Sequence, residues 1–421
     1  MKGARLTAAL ALLEVEGGGY SNLVLKNRLG GLEGRDKSFA AALVLGTLEH
    51  RLTLDYALSS FVPRSLEKLD REVLCCLRLG LYQALYMDGI PVSAAVSESV
   101  KLCRSLKKSS AAGMVNAVLR RASAFEAEEI DNIKDRRERL SVKYSLCDEL
   151  AEMLSQQYGE SAEEIMEAFF SKPRSTVRVN ALRTTPEALI DELAESGIEA
   201  VSCALEGALE IRSGDWLASA PLLRGDMRAQ TAVWALAPQR GERVLDMCAA
   251  PGGKTLTAAQ LMGNEGEIVA LDRSERRLSL LREQAALEGV SIIKALCRDA
   301  GEYEDEAGFD RVLCDAPCSG YGEIAAKPEL RYKSPELNAG LYAIQKKLLE
   351  RGARLLKKGG RLVYSTCTLD SRENEEAIAE LLKPGSGFKS DTASGEGGFR
   401  KILPQKGDPE GFFIASFSKI W

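Results

Sequence analysis

Arg243-Val244-Leu245-Asp246-Met247-Cys248-Ala249-Ala250-Pro251-Gly252-Gly253-Lys254-Thr255 decides how the second half of this chain is built. A short apolar run ends in an acidic residue, a glycine turn follows, and a segment of helical character comes next. The order recurs downstream: Glu267–Asp272, Ile292–Leu296, Arg311–Cys314 and Arg361–Tyr364 are short apolar runs separated by polar segments of helix length. That alternation predicts an α/β domain with a doubly wound parallel sheet, whose ligands lie beyond the carboxyl ends of the strands.

The turn excludes two nucleotide-binding classes. A phosphate-binding P-loop needs a glycine five places before the Gly of Gly253-Lys254-Thr255, and that position is Cys248. No Gly-x-Gly-x-x-Gly follows the strand, so the dinucleotide fingerprint is absent too. What remains is a glycine turn that lets the backbone approach a ligand, with a helix N-terminus behind it. Asp246, Asp272 and Asp299 follow three successive strands on one rim, where such folds set carboxylates against ribose hydroxyls. Each aspartate alone reads equally as a helix cap or loop residue. Together they predict acceptors for a ribose and an adenine amino group, as S-adenosylmethionine requires.

Two cysteine-bearing segments follow later strands. Asp315-Ala316-Pro317-Cys318-Ser319-Gly320 comes after Arg311–Cys314, and Ser365-Thr366-Cys367-Thr368 after Arg361–Tyr364. Both thiols are therefore expected in one cleft beside the glycine turn. A lone cysteine is more often a small buried hydrophobe, but the pair in this place reads as methyl-transfer chemistry. Cytosine C5 is a poor nucleophile until a thiolate adds to C6, and an enzyme that forms such an adduct must also dismantle it. The residues alone do not rank the two thiols. Zinc at Cys314 and Cys318 lacks partners, since His50 is the only histidine and no Cys-x-x-Cys exists. Lack of a nearby histidine also disfavours Cys-His hydrolase chemistry. A thiolate here would need backbone N–H groups, Lys254 or a sulfonium charge to stabilise it.

The first part of the chain is different. From Arg35 to Arg121 apolar residues recur at helical spacing, as in Phe39, Leu43, Leu48 and Leu52 and again Val73, Leu77, Leu81 and Leu85. Pro63 and Pro91 punctuate the pattern, and Asp70 and Ser93 are the expected caps. Met1–Leu13 reads as a first amphipathic helix and Ala122–Arg139, dense in charge, as a connecting helix. Around residues 140–220 a helix at Cys147–Tyr158, a strand near Thr176–Asn180, a helix after Pro186 and a strand near Ala208–Arg212 suggest a small α/β adaptor. The expected domains are thus 1–125 helical, 126–222 linker helix and adaptor, and 223–421 catalytic.

Residues 1–122 carry 17 Lys and Arg against 11 Asp and Glu, on a chain whose formal net charge is −5. The basic module is the expected phosphate-contacting surface; a solvated helical face is the alternative. The ten cysteines show no paired framework, which implies a reducing cytoplasm. No apolar stretch approaches the roughly 20 residues that cross a bilayer, so a soluble protein with no membrane partner is expected.

At Asp246–Lys254, Asp315–Gly320 and Ser365–Thr368 the chain resembles the RNA cytosine-C5 methyltransferase family, the NOL/NOP/Sun group. Asp36–Ala40, Leu77–Gln83 and Gly113–Arg121 resemble the helical RNA-binding domain of the antitermination factor NusB. The resemblance implies an all-α NusB-like N-terminal domain, a small α/β adaptor and a C-terminal α/β Rossmann-like methyltransferase domain that uses S-adenosylmethionine. It implies methylation of a cytosine in small-subunit ribosomal RNA; separately from the resemblance, a monomer without metal is expected. It makes Cys367 the nucleophile at C6 and Cys318 the residue that assists product release. It assigns Cys248, Ala249, Ala250, Pro251, Gly252, Gly253, Lys254, Asp272, Asp299 and Asp315 to the cofactor pocket, with Lys254 and Asp315 near the target base. The chain departs at 321–327, where relatives usually read Gly-Val-Ile-Arg-Arg. Here Tyr321-Gly322-Glu323-Ile324-Ala325-Ala326-Lys327 replaces two expected arginines with Ala325 and Ala326. Two other classes stay open: a non-catalytic RNA-binding assembly factor, which methyl transfer to RNA would exclude, and an ATPase using Gly253-Lys254-Thr255, against which the missing glycine counts.

Overall fold

The computed structural model describes residues 3–63, 65–203, 207–214, 227–391 and 398–421. The boundary expected at 222 lies outside the described residues, as do Met1 and Lys2 of the helix expected over Met1–Leu13. The chain divides into two compact units, Met1–Phe170 with Ile324–Leu337, and Ser171–Glu323 with Asn338–Trp421.

The first unit is helical. Its α-helices are α1 (Ala4–Val15), α2 (Ser21–Arg28), α3 (Gly34–Glu49), α4 (Arg51–Ser59), α5 (Arg71–Tyr86), α6 (Val92–Ser105), α7 (Ala112–Ala122), α8 (Arg136–Tyr144), α9 (Asp148–Tyr158) and α10 (Ala162–Ala168). The heptad-like apolar stripes form its core, with Leu43, Leu54, Leu58, Leu77 and Leu81 fully buried. Asp70 occupies the N-cap position of α5 without a side-chain capping bond. Ser93 is not a cap: Pro91 takes the N-cap of α6 and places Ser93 inside the first turn, where proline's fixed φ sets the entry. Nor is Ala122–Arg139 one helix. It breaks into a 3-10 turn, Ala127–Asn132, and the start of α8, which Asp135 caps through the N–H of Glu138.

Ile324–Leu337, downstream in sequence, completes this helical unit. Arg331 is fully buried and donates to the carbonyls of Tyr144 and Phe169 at 2.8 and 2.9 Å. Its guanidinium also lies 4.4 Å from the Phe170 ring centroid. A buried charge without such partners would be costly. His50 stacks between Tyr86 and Phe170, at centroid distances of 3.9 and 4.9 Å. Burial, then the Arg331 charge, pushes the imidazole down to about 3. The folded chain thus refuses a proton that the unfolded chain accepts below its ordinary value of 6.5. Stability from this group is present above pH ~6.5 and is lost as pH falls towards 3, by roughly 3–5 kcal/mol in all. His50→Phe keeps the stack and removes the proton site. Denaturant melts at stepped pH should show a flatter acid limb for the variant; an unchanged limb would contradict this reading.

The second unit begins with an antiparallel sheet in the order β1 (Ser175–Arg178), β3 (Ala208–Ser213), β2 (Glu199–Ser202), covered by α11 (Pro186–Glu195). Thr185 caps α11 and Pro186 takes its first position. After α12 (Met227–Leu236) comes the large sheet, with β4 (Arg243–Asp246), β5 (Glu267–Asp272), β6 (Ile293–Cys297), β7 (Phe309–Asp315) and β8 (Leu356–Thr366). These five run parallel in the order β8-β7-β4-β5-β6. Helices α13 (Gly253–Leu261), α14 (Glu275–Glu288) and α15 (Ala339–Leu355) connect them, and α16 (Glu375–Leu382) follows β8. The sheet is not parallel throughout. Beyond β8, β11 (Phe412–Lys419) pairs antiparallel and carries β9 (Phe388–Ser390) and β10 (Phe399–Ile402). Apolar clusters pack on both faces, centred on Val244, Ile268 and Leu313 on one and on Leu245, Val312 and Leu362 on the other. Strand order reverses between β4 and β7, the switch point at which open α/β sheets bind ligands.

Candidate active site

The candidate residues of the second unit lie at the carboxyl ends of β4, β5, β6, β7 and β8. The turn after β4 is fixed from inside. Asp246 is 2 % exposed and accepts hydrogen bonds from Thr255 Oγ1 at 2.7 Å and from the Cys248 N–H at 3.3 Å. Burial pushes its carboxyl up to about 6. Asp246 therefore braces the turn and does not join Asp272 and Asp299 as a rim acceptor. Gly252 has φ +119°, and a Cβ there would lie 2.5 Å from Leu281 Cδ1, so only glycine fits. At Gly253, the first residue of α13, an added Cβ would meet nothing within 4 Å. Glycine backbone, open space and the helix N-terminus suit an approaching nucleoside cofactor.

The rim residues Asp272 and Asp299 are each held by a turn N–H and an arginine. Asp272, 7 % exposed, accepts from the Ser274 N–H at 2.8 Å and pairs with Arg277 at 3.3 Å. Arg277 also donates to the carbonyl of Ala250, tying the turn to the β5 end. Asp299 accepts from the Gly301 N–H at 2.9 Å and meets Arg273 at 3.4 Å. Cys248 and Cys314 are thiols that burial pushes up, consistent with packing.

At the ends of β7 and β8, register places Asp315 opposite Ser365. Asp315 Oδ1 accepts from Ser365 Oγ at 2.8 Å, and Oδ2 takes the Lys254 ammonium at 2.7 Å. The sulfurs of Cys318 and Cys367 lie 3.3 Å apart. Cys367 Sγ also donates to Glu323 Oε2 at 3.2 Å. Its hydrogen bond to Cys318, then burial, pushes the Cys367 thiol well above the ordinary cysteine range.

Buried polar side chains hold the two cysteine loops together. Glu373 is fully buried and accepts from the Ser319 N–H at 2.9 Å and Gln345 Nε2 at 2.8 Å. Gln345 also donates to the Pro317 carbonyl at 2.9 Å. Ser319 Oγ meets Thr368 Oγ1 at 2.6 Å, and Asn374 joins Thr366 Oγ1 at 2.5 Å to the Thr368 carbonyl at 3.1 Å. A hydrogen-bonded network of this kind fixes loop positions that packing alone would leave soft. Sequence reasoning singled out neither Glu323 nor Glu373 nor Asn374. Glu373-Asn374-Glu375 leads into the acidic first turn of α16, with Asn374 at the N-cap position, and only burial shows that Glu373 and Asn374 also brace the cysteine loops.

A sheet of this order, with a glycine turn at its switch point and acceptors along its rim, defines a Rossmann-like methyltransferase. The family described as 16S rRNA methyltransferase RsmB/F matches residues 233–418, the NusB family matches 2–124, and the ferredoxin-like domain of RsmF/B-type methyltransferases matches 149–214. The probable ribosomal RNA small subunit methyltransferase B of Bacillus subtilis (strain 168) is 36 % identical, covering 95 % of each chain. Ribosomal RNA small subunit methyltransferase B of Pseudomonas putida is 32 % identical over 99 % of this chain and 98 % of its own. The crystal structure of PH0851 superposes with a TM-score of 0.80 at 27 % identity, covering 99 % of this chain and 98 % of that one. The chain belongs to the RsmB/F family of RNA methyltransferases, with a NusB-family domain at its N-terminus. Among the described residues no helix is long and apolar enough to cross a membrane, and no group of three or more His, Cys, Asp or Glu could hold a metal ion.

Proposed function

We propose that this chain transfers a methyl group from S-adenosylmethionine to C5 of one cytosine in small-subunit ribosomal RNA, through a covalent bond between a cysteine and C6. The observation that carries the reading is the pair of sulfurs 3.3 Å apart beside a carboxylate anchored by Lys254 and Ser365. Bound S-adenosylmethionine supplies an electrophilic methyl group. Gly252, Gly253 and the backbone of Cys248–Pro251 would hold it, with Asp272 and Asp299 on its hydroxyl and amino groups. A cytosine must leave its stack to reach such a site, and its Watson–Crick edge is then open to hydrogen bonding.

Cys367 adds to C6, and Asp315, oriented by Lys254, stabilises the activated base through N3 or N4. After methylation a base removes the C5 proton, and Cys367 leaves with help from Cys318. The same reading takes the domains as 1–125, 126–222 and 223–421, with the basic first domain on RNA phosphates, and the enzyme as a cytoplasmic monomer without metal. Bisulfite sequencing of ribosomal RNA from cells with and without the gene tests it. One protected cytosine in the small subunit should lose protection when the gene is removed; unchanged protection at every cytosine would refute the proposal.

A further inference from the structure

Before sulfur can bond to a pyrimidine, the Cys367 thiol must lose its proton. Its hydrogen bond to Cys318 and its burial both favour the protonated form, so the resting site needs a proton acceptor. The usual one is absent, because the single histidine, His50, belongs to the helical unit. Asp315 has both carboxylate oxygens engaged, by Ser365 and by Lys254. The carboxylate that touches the sulfur is that of Glu323, at 3.2 Å.

The main chain keeps it there. Gly322 N–H donates to the Cys367 carbonyl at 2.9 Å, Gly411 N–H donates to the Gly322 carbonyl at 2.8 Å, and Glu323 N–H donates to the Gly320 carbonyl at 2.8 Å. A Cβ on Gly322 would lie 2.2 Å from the Gly411 oxygen and 2.9 Å from that of Cys367. Three backbones therefore touch at a residue that cannot be other than glycine without rearrangement, and the next residue is the glutamate. Such a clamp fixes the backbone of Glu323 beside Cys367 and keeps its carboxylate within reach of the sulfur, which is what proton transfer needs.

We propose that Glu323 is the general base that takes the Cys367 proton, an assignment that rests on the covalent reading above. In the addition step the proton passes from Sγ to Oε2, a sulfur lone pair forms the bond to C6, and the C5=C6 electron pair moves to C5. When the double bond re-forms, the sulfur leaves with the C6 bond pair and recovers its proton from Glu323. Glu323 ends unchanged, and the proton released overall is the one displaced from C5 by the methyl group.

The test uses the full-length Cys318→Ala chain, in which adducts persist, with S-adenosylmethionine and a small-subunit ribosomal RNA transcript. The rate at which protein becomes bound to RNA is read on denaturing gels across neutral to alkaline pH. Adding Glu323→Gln should slow the rate at neutral pH by roughly 10²–10⁴-fold, the range general bases supply. The residual rate should climb about tenfold per pH unit as the thiol ionises by itself, and Glu323→Asp should recover part of the loss. Calorimetric binding of S-adenosylmethionine should be unchanged. An unaltered or faster adduct rate with Glu323→Gln overturns the assignment, and so does loss of cofactor binding, which would make the side chain a structural element of the pocket. Absence of any adduct with Glu323 intact would instead sink the covalent reading itself.

Discussion

Cys367→Ala is expected to abolish methyl transfer, with a loss of at least about four orders of magnitude, the scale on which removal of a covalent nucleophile acts. Without sulfur addition at C6, cytosine C5 has no carbanion character with which to attack a methyl group. Neither Lys254, Asp315 nor Glu323 can replace that step, because none is a soft nucleophile. The side chain lies at the end of β8 and the cofactor turn follows β4, so binding of S-adenosylmethionine should survive the substitution. Radiolabelled methyl incorporation into RNA, beside calorimetric cofactor binding, checks both halves. Turnover within tenfold of the native chain would remove Cys367 from the role of nucleophile.

Cys318→Ala is expected to give the opposite outcome on the same substrate: turnover stops, yet protein and RNA stay joined and migrate together under denaturing conditions. With its sulfur 3.3 Å from that of Cys367, Cys318 is within reach of a base held by Cys367, and in the proposed mechanism it assists the elimination that frees Cys367. Removing it should block elimination while leaving addition intact. The double variant should form no adduct. Exchange of the two phenotypes would exchange the two roles, and free RNA with full turnover from Cys318→Ala would show that elimination needs no second thiol.

The parallel half of the sheet is legible because each of its five strands contains a short apolar run, and three of them end in aspartate, as in Val244-Leu245-Asp246. The antiparallel strands β9–β11 are not. β9 and β10 are three and four residues long, too short for a period, and Phe412-Phe413-Ile414-Ala415 is an unbroken apolar run that reads equally as buried helix or strand. β2 escapes for the same reason: four residues with one fully inward side chain. What decides these segments is pairing with strands far away in sequence, which no local pattern records.

For the site, residues at strand ends are legible and those on connecting loops are not. Asp315, Cys318 and Cys367 follow strands closely, so the fold alone brings them to one rim. Asp246 also ends a strand, yet its carboxylate turns inward to Thr255, a rotamer choice invisible in sequence. Glu323 sits in the stretch where the chain departs from its relatives' usual pattern. That departure drew attention to the missing arginines at Ala325 and Ala326 rather than to the acid two residues earlier. Its contact with Cys367 depends on the Gly322–Gly411 approach, which joins segments nearly ninety residues apart.

The nucleoside that the enzyme makes is the most direct test of covalent C5 methylation. Full-length protein, S-adenosylmethionine bearing an isotopically labelled methyl group, and small-subunit ribosomal RNA should yield, after digestion and mass spectrometry, labelled 5-methylcytidine that disappears with Cys367→Ala. Label on another atom of cytidine or on another nucleoside, or 5-methylcytidine that persists without the Cys367 sulfur, would contradict it.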